Sequence, residues 1–199
     1  MDLETLITTV GLLGVFGIVF AETGLLVGFF LPGDSLLFTT GLLVSHGILD
    51  APLVVVLAGC FLAAVIGDQV GYAFGRRVGP RLFRRPDSRF FRQEHVVKAH
   101  AYFERYGART IVLARFVPVV RTFAPVLAGV GSMRYRTFVT YNVVGALLWG
   151  VGVTALGYAL GRRFPHMEEY LLPTVVLIIA ASLVPVALEW RRSRTPSAR

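Results

Sequence analysis

Residues 71–77 read GYAFGRR, and residues 157–163 read GYALGRR. The two heptapeptides agree at six of seven positions, at an offset of 86 residues. The same offset matches Pro32 with Pro118, each within an apolar stretch that precedes a heptapeptide. One spacing that relates two separate features in both halves predicts an internal duplication of the chain.

The composition excludes a soluble enzyme. The 199 residues are 55% hydrophobic and only 16% charged, with a mean hydropathy of +0.66, whereas an average soluble domain is roughly 25% charged. The ionisable residues gather in a few places and leave apolar runs of nearly bilayer length between them. We therefore predict an all-α polytopic membrane protein with a single membrane domain at residues 1–190 and a basic tail at 191–199.

Each repeat is predicted to contain a broken apolar segment followed by a transmembrane helix. Repeat 1 covers about residues 5–79 and repeat 2 about 107–165. Their uninterrupted helices are predicted at 51–75 and 138–160, and the first would span roughly 36 Å. An additional C-terminal transmembrane helix is predicted at 170–189.

The broken segments, 5–49 and 107–133, contain proline, glycine and charge in their middle. The interruptions are Glu22, Pro32, Gly33 and Asp34 in the first segment, and Arg115, Pro118, Arg121 and Pro125 in the second. Proline removes an amide donor, and inside a bilayer the released carbonyl groups need partners from protein or trapped water. Both segments are therefore predicted to be re-entrant helical hairpins that face the protein interior.

The distribution of cations orients the repeats. Ten of the 20 Lys and Arg residues lie between Arg76 and Arg109, which places this stretch in the cytoplasm by the positive-inside rule. The helix before it then runs inward and the helix after it runs outward, so the two repeats have inverted topology. Their broken segments would meet near the midplane, where inverted-repeat transporters hold their substrates.

Four charges in the broken segments are the candidate site: Glu22, Asp34, Arg115 and Arg121. One charged side chain at the centre of a bilayer costs about 2.5–3.5 kcal/mol even on the lenient insertion scale, so these groups should pair or face water. Two interpretations stay open. Either the charges form salt bridges that only join the two hairpins, or the arginines bind an anionic ligand while a carboxylate competes with the ligand or exchanges a proton.

Asp68 is the one charge in the first uninterrupted helix, and its role is also open. It could cap a helix irregularity, pair with Arg77, or join the other carboxylates in charge pairing and proton coupling. The single cysteine, Cys60, lies in an apolar run and is predicted to pack in the core. The histidines lack metal-ligand spacing, so neither a metal nor a cofactor is expected, and the cationic stretch is interpreted as a topology signal rather than a nucleic-acid site.

An ordered set of motifs resembles the DedA family of bacterial inner-membrane proteins, also called the SNARE-associated or VTT domain family. The resemblance covers roughly residues 20–165. The matching residues are Glu22-Thr23, Pro32-Gly33-Asp34-Ser35, Gly67-Asp68-x-x-Gly71-Tyr72-x-x-Gly75-Arg76, Arg115-Phe116-x-Pro118-x-x-Arg121-Thr122, Ala128-Gly129, Met133, Phe138, Asn142 and Trp149.

The resemblance implies lipid translocation in a bacterial cytoplasmic membrane. Bacterial members are linked to recycling of undecaprenyl phosphate or phosphatidylethanolamine, often with dependence on the proton motive force, and eukaryotic relatives act as scramblases. The essential acidic pair of the family falls on Glu22 and Asp34, and its essential arginines fall on Arg115 and Arg121.

We therefore expect a transporter, not an enzyme, whose partners are a phosphate-bearing membrane lipid and protons. Two arginines can bind a phosphate through paired, fork-like hydrogen bonds. A scramblase with broad head-group choice is the alternative. A membrane phosphatase needs a nucleophile, and neither a P-loop nor a nucleophile elbow is present; a purely structural protein leaves the buried charges unexplained. The sequence leaves open the exact lipid, the direction of transport, the ion coupling and whether the chain forms a homo-oligomer.

Overall fold

The computed structural model describes residues 3–25, 33–82 and 106–164, and these ranges are helical with short connections. The helices are α1 (Leu3–Gly24), α2 (Gly33–Ser45), α3 (Leu53–Leu82), α4 (Arg109–Ala114), α5 (Pro118–Val130), α6 (Tyr135–Ala146) and α7 (Gly152–Arg163). A π-helical turn, Leu147–Val151, makes α6 and α7 one continuous helix. The predictions for Pro32, for the helix at 170–189 and for the tail at 191–199 lie outside the described residues.

Two of these helices are long and apolar enough to cross a membrane, Leu53–Val78 and Tyr135–Arg163. Large apolar side chains cover their outer surfaces: Val54 is 75% exposed and Leu147 is 53% exposed, whereas Glu22 is fully buried. Apolar groups outside and charges inside reverse the arrangement of a soluble protein, and they suit a bilayer that surrounds the helices.

The two long helices run antiparallel. Gly150 approaches the Cys60 carbonyl group, and the ring of Tyr72 stacks on that of Phe138 with centroids 4.4 Å apart. A residue later in α3 therefore contacts a residue earlier in the helix formed by α6 and α7. The GYAFGRR and GYALGRR heptapeptides consequently lie toward opposite ends of the helix pair.

Close glycine contacts hold the shorter helices against the long ones. Helix α5 packs on α3 and helix α2 packs on α7. A Cβ atom added at Gly75 would overlap the backbone of Val126, and one added at Gly157 would overlap the backbone of Phe38. These contacts cross between the halves, because a broken segment of each half packs on the long helix of the other.

The second broken segment is interrupted at residues 115–117, as predicted from Pro118. The residue before a proline is driven out of the helical region, and Val117 is extended, with φ −117° and ψ 107°. Its amide still donates to the Ala114 carbonyl at 3.0 Å, which closes the last turn of α4. Helix α5 then begins at Pro118, a first-turn position where the missing amide costs little.

The prediction that Pro125 also interrupts this segment is wrong, because Pro125 lies inside α5. Because proline has no amide hydrogen, the Arg121 carbonyl group, one turn earlier, does not receive the usual helical hydrogen bond. Pro125 is nevertheless buried close to Gly71 of α3. Packing against the long helix therefore holds the helical conformation at this proline.

The long helices extend beyond their predicted limits. The first continues seven residues past 75, to Leu82, and the second begins at Tyr135 rather than 138 and ends at Arg163 rather than 160. Arg76, Arg77, Arg162 and Arg163 therefore lie within helices, at charged ends that hydropathy assigned to loops; arginine itself has a high helix propensity. Cys60 is buried in the core, as predicted.

We expect Gly75→Ala to lower the free energy of unfolding by about 1–3 kcal/mol, because the new methyl group meets the backbone of α5 rather than a movable side chain. The matched control is Gly14→Ala in α1, where a Cβ atom meets nothing within 4 Å and where alanine improves helix propensity. Thermal unfolding of both variants in detergent measures the difference. Equal stability of the two variants would contradict the close packing of α3 on α5.

Candidate functional site

Arg121 joins three helices through two carboxylates. Its Nη1 donates to Asp34 Oδ1 at 2.7 Å, and its Nη2 donates to Glu22 Oε1. Glu22 lies in the last turn of α1, Asp34 in the first turn of α2 and Arg121 in the first turns of α5. The two predicted acidic residues therefore both pair with the same arginine.

Gly33 permits the close approach of the first two helices. It is buried at the start of α2, and a Cβ atom at this position would overlap the Glu22 carboxylate. The Glu22 side chain is fully buried, whereas that of Asp34 is 51% exposed. One carboxylate of the pair is thus enclosed by protein while the other remains accessible.

Arg115 belongs to a second charged centre. Its Nη2 donates to Asp68 Oδ2 and, at 2.6 Å, to Asn142 Oδ1. Its side chain lies across Gly145, where a Cβ atom would come within 2.7 Å of the Arg115 Cδ. The alternative that Asp68 pairs with Arg77 is therefore wrong, because the partner of Asp68 in the folded chain is Arg115.

Trp149 connects the two centres. Its indole Nε1 donates to Asp34, and its ring centroid lies 4.8 Å from the guanidinium carbon of Arg121 and 5.9 Å from that of Arg115. Guanidinium groups are attracted to indole faces, most strongly away from water. Trp149 is 1% exposed and lies in the π-helical turn, an irregularity frequent at functional sites.

Several buried polar atoms of the site lack a hydrogen-bond partner within the described residues. These atoms are Nε and Nη1 of Arg115, Nε of Arg121 and Oε2 of Glu22. A buried donor without an acceptor loses its hydration and gains nothing in return, at a cost of about 1–3 kcal/mol or more when charged. The guanidinium groups therefore keep donors available for an acceptor that the described residues do not supply.

The site holds three carboxylates and two guanidinium groups, so its formal charge is −1 when all five are ionised. The sequence led us to expect two charges of each sign, because only the broken segments were counted. Asp68 adds the third carboxylate from the long helix α3. Within residues 3–25, 33–82 and 106–164, no three His, Cys, Asp or Glu side chains lie close enough to share a metal ion.

No role was predicted from the sequence for Asn142 or Trp149. A signal was present, since Asn142, Gly145 and Trp149 recur at intervals of three and four residues and so share one helix face. An amide and an indole beside a glycine within an apolar run indicate a face that approaches a polar partner. That partner, Arg115, could not be identified from spacing along the chain.

Comparison with known proteins identifies relatives over most of the chain. Residues 31–159 match the VTT domain family. The chain is 45% identical over 185 residues to Protein DedA of Escherichia coli K12, covering 93% of this chain and 84% of that protein. It is 51% identical over 183 residues to uncharacterized membrane protein Rv0364 of Mycobacterium tuberculosis, covering 90% of this chain and 78% of that protein. No solved structure gives a significant match.

Double-mutant cycles on the free energy of unfolding should separate the two charged centres. We expect the coupling energy between Asp68 and Arg115 to exceed that between Asp68 and Arg121, and Glu22 to show the opposite preference. Removing one partner of a buried pair typically costs 3–5 kcal/mol, since it leaves an uncompensated charge. Neutral substitutions Asp68→Asn, Glu22→Gln, Arg115→Gln and Arg121→Gln supply the cycles. Equal coupling of each acid to both arginines would contradict this pairing.

Proposed function

We propose a function from the family of this chain, which belongs to the VTT domain family together with Protein DedA. In this proposal the protein transports a phosphate-bearing lipid across the bacterial cytoplasmic membrane. The lipid that the family resemblance favours is undecaprenyl phosphate or a close analogue. The protein acts as a carrier in this proposal and not as an enzyme. The buried pair Arg115 and Arg121 binds the phosphate.

The unpartnered guanidinium nitrogens are the observation that carries the proposal. Three donor nitrogens of Arg115 and Arg121 are buried without a partner in the described part of the chain. Phosphate oxygens accept hydrogen bonds from planar guanidinium groups in pairs, which an ammonium group cannot reproduce. A phosphate between the arginines would satisfy donors that residues 3–25, 33–82 and 106–164 leave without an acceptor.

The surroundings of the arginines suit a ligand with a hydrocarbon tail. Phe116, Val117 and Val120 lie at the break and in the first turn of α5, and they are 56%, 48% and 43% exposed. These apolar side chains flank both arginines in sequence. A head group held by the guanidinium groups could therefore leave its tail in the bilayer, so that the tail never crosses the protein core.

The excess of carboxylates supports coupling to protons. An anionic phosphate entering a site of formal charge −1 would compete with Glu22 and Asp34 for Arg121. Protonation of a carboxylate removes this competition, and proton loss afterwards restores the ion pair and favours release of the phosphate. Asp68 would act in the same way on Arg115.

The arrangement that we propose around this site is two inverted repeats with re-entrant hairpins. The antiparallel long helices and the packing of each broken segment on the opposite half support it. The apolar stretch at 170–189 adds a further transmembrane helix to the proposal, with the basic tail at 191–199 in the cytoplasm.

Transport by the Arg121→Lys variant tests the proposal. Lysine keeps the charge but loses the planar fork, so we expect normal insertion and at least tenfold slower movement of fluorescent undecaprenyl phosphate in proteoliposomes. The control is Arg136→Lys at an exposed position of α6, which should transport like the wild type. Unchanged transport by a folded Arg121→Lys protein would remove the phosphate-fork mechanism.

A broad-specificity scramblase is the second candidate, favoured by the exposed side of Asp34, which admits head groups of several kinds. The same proteoliposomes distinguish it. A carrier coupled to protons moves undecaprenyl phosphate faster with a pH gradient and moves phosphatidylethanolamine slowly. A scramblase moves both lipids at rates that the gradient does not change.

Labelling of single cysteines tests the proposed topology. Ile48→Cys, in the connection between α2 and α3, should react with a membrane-impermeant thiol reagent added outside intact cells. Ser132→Cys, in the connection between α5 and α6, should react only after the cells are opened. Cys60→Ala provides the background, and labelling of both positions from the same side would contradict the inverted arrangement.

A further inference from the structure

A cavity extends along α3 from the charged site, within about two helical turns of Asp68. It has a volume of about 510 Å³ and is lined by Gln69, Tyr72, Ala73, Arg76, Arg77 and Tyr135. All but the last of these residues belong to α3, and the last begins α6. We call this cavity the α3 groove, and its lining includes four of the seven residues of the first heptapeptide.

A hydrogen-bonded chain fixes one wall of the groove. The Tyr72 hydroxyl donates to the Met133 carbonyl at 2.6 Å, and Arg76 Nη1 donates to the Tyr72 hydroxyl at 2.9 Å. Tyr72 also stacks on Phe138, and Tyr135 lies 5.9 Å away, centroid to centroid. Arg76 is thereby held in place beside the cavity.

The floor of the groove carries an unused donor. Gln69 Nε2 is buried and has no hydrogen-bond partner among the described residues. An amide nitrogen in this position requires an acceptor. The groove thus combines two cationic side chains and an unsatisfied donor, and its lining contains no acidic residue.

We propose that the α3 groove binds the phosphate head group of an anionic membrane lipid. A lipid fits better than free phosphate, because Val70 and Phe74 lie beside the groove residues on α3 and are 40% and 42% exposed. These side chains provide a surface for a hydrocarbon tail.

The position of the groove suits initial binding of the lipid head group before it enters the charged site. This role rests on the proposed transport function. Gln69 directly follows Asp68, the partner of Arg115. Eight residues of helix separate Asp68 from Arg76, which corresponds to roughly 12 Å. A head group bound in the groove would therefore lie just outside the charged site, as a loading position at the cationic end of α3.

The second copy of the heptapeptide has a different arrangement. There the Arg162 guanidinium lies over the ring of Tyr158, 6.0 Å from its centroid, instead of donating to the tyrosine hydroxyl as Arg76 does. The two copies have thus diverged at the level of side-chain contacts, and the proposed head-group site belongs to the first copy.

Binding of dihexanoyl phosphatidic acid to the purified full chain in detergent tests this site. Gln69→Leu combined with Arg77→Gln should weaken binding tenfold or more, since it removes two donors of charge-assisted hydrogen bonds to the phosphate. The matched control, Arg136→Gln, removes one exposed charge near the same helix end without touching the groove, and should change the affinity less than twofold. Circular dichroism and gel filtration verify that each variant is folded.

Two further arms complete the experiment. Inorganic phosphate should bind the wild type at least tenfold more weakly than the lipid. The loss of lipid affinity caused by Gln69→Leu with Arg77→Gln should appear in the Arg121→Lys background as well, since the groove does not include Arg121. Equal affinities of the groove variant and the control variant, or phosphate binding as tight as lipid binding, would overturn the proposal. Because binding is measured in the Arg121→Lys background as well, a wrong proposal for the groove is distinguishable from a wrong proposal for transport.

Discussion

The ion pairs of Arg121 are the interaction on which the rest of the structure depends. One guanidinium group bonds carboxylates from the end of α1 and the start of α2, while its own helix packs on α3. A charge inside a membrane protein is tolerated only when it is paired or faces water. The three helices therefore meet at this point, since separating them would leave the buried charges of Arg121 and Glu22 without their partners.

Glycine makes this meeting geometrically feasible. Gly33 lets the Glu22 carboxylate approach the start of α2, Gly145 leaves room for the Arg115 side chain, and Gly75 lets α5 lie directly on α3. In a bilayer the hydrophobic effect does not drive helices together, so close backbone packing and interhelical polar contacts carry the association. The same small residues thus stabilise the fold and give the charged groups access to one another.

The buried charges and the exposed apolar break give one physical account of the proposed transport. The protein encloses guanidinium groups whose donors are only partly satisfied by the described part of the chain. It also holds carboxylates within hydrogen-bond distance of these groups and leaves apolar side chains exposed beside them. Trp149 ties the two centres together, because its ring contacts both arginines and its N–H bonds Asp34. A change in the charge of Asp34 would therefore act on both arginines through the Trp149 side chain.

The sequence by itself determined the class of protein, the approximate positions of the two long helices, the break before Pro118 and the need of Glu22, Asp34, Arg115 and Arg121 for polar partners. These features follow from local rules: hydropathy over a span, the effect of proline on the preceding residue, and the cost of a charge in hydrocarbon. Only the tertiary structure decided that Arg121 pairs with both Glu22 and Asp34 and that Arg115 pairs with Asp68 and Asn142. The tertiary structure also decided that the chain remains helical at Pro125. Pairing between groups 27 to 99 residues apart depends on how the helices pack, and no local rule fixes which of several opposite charges lies nearest.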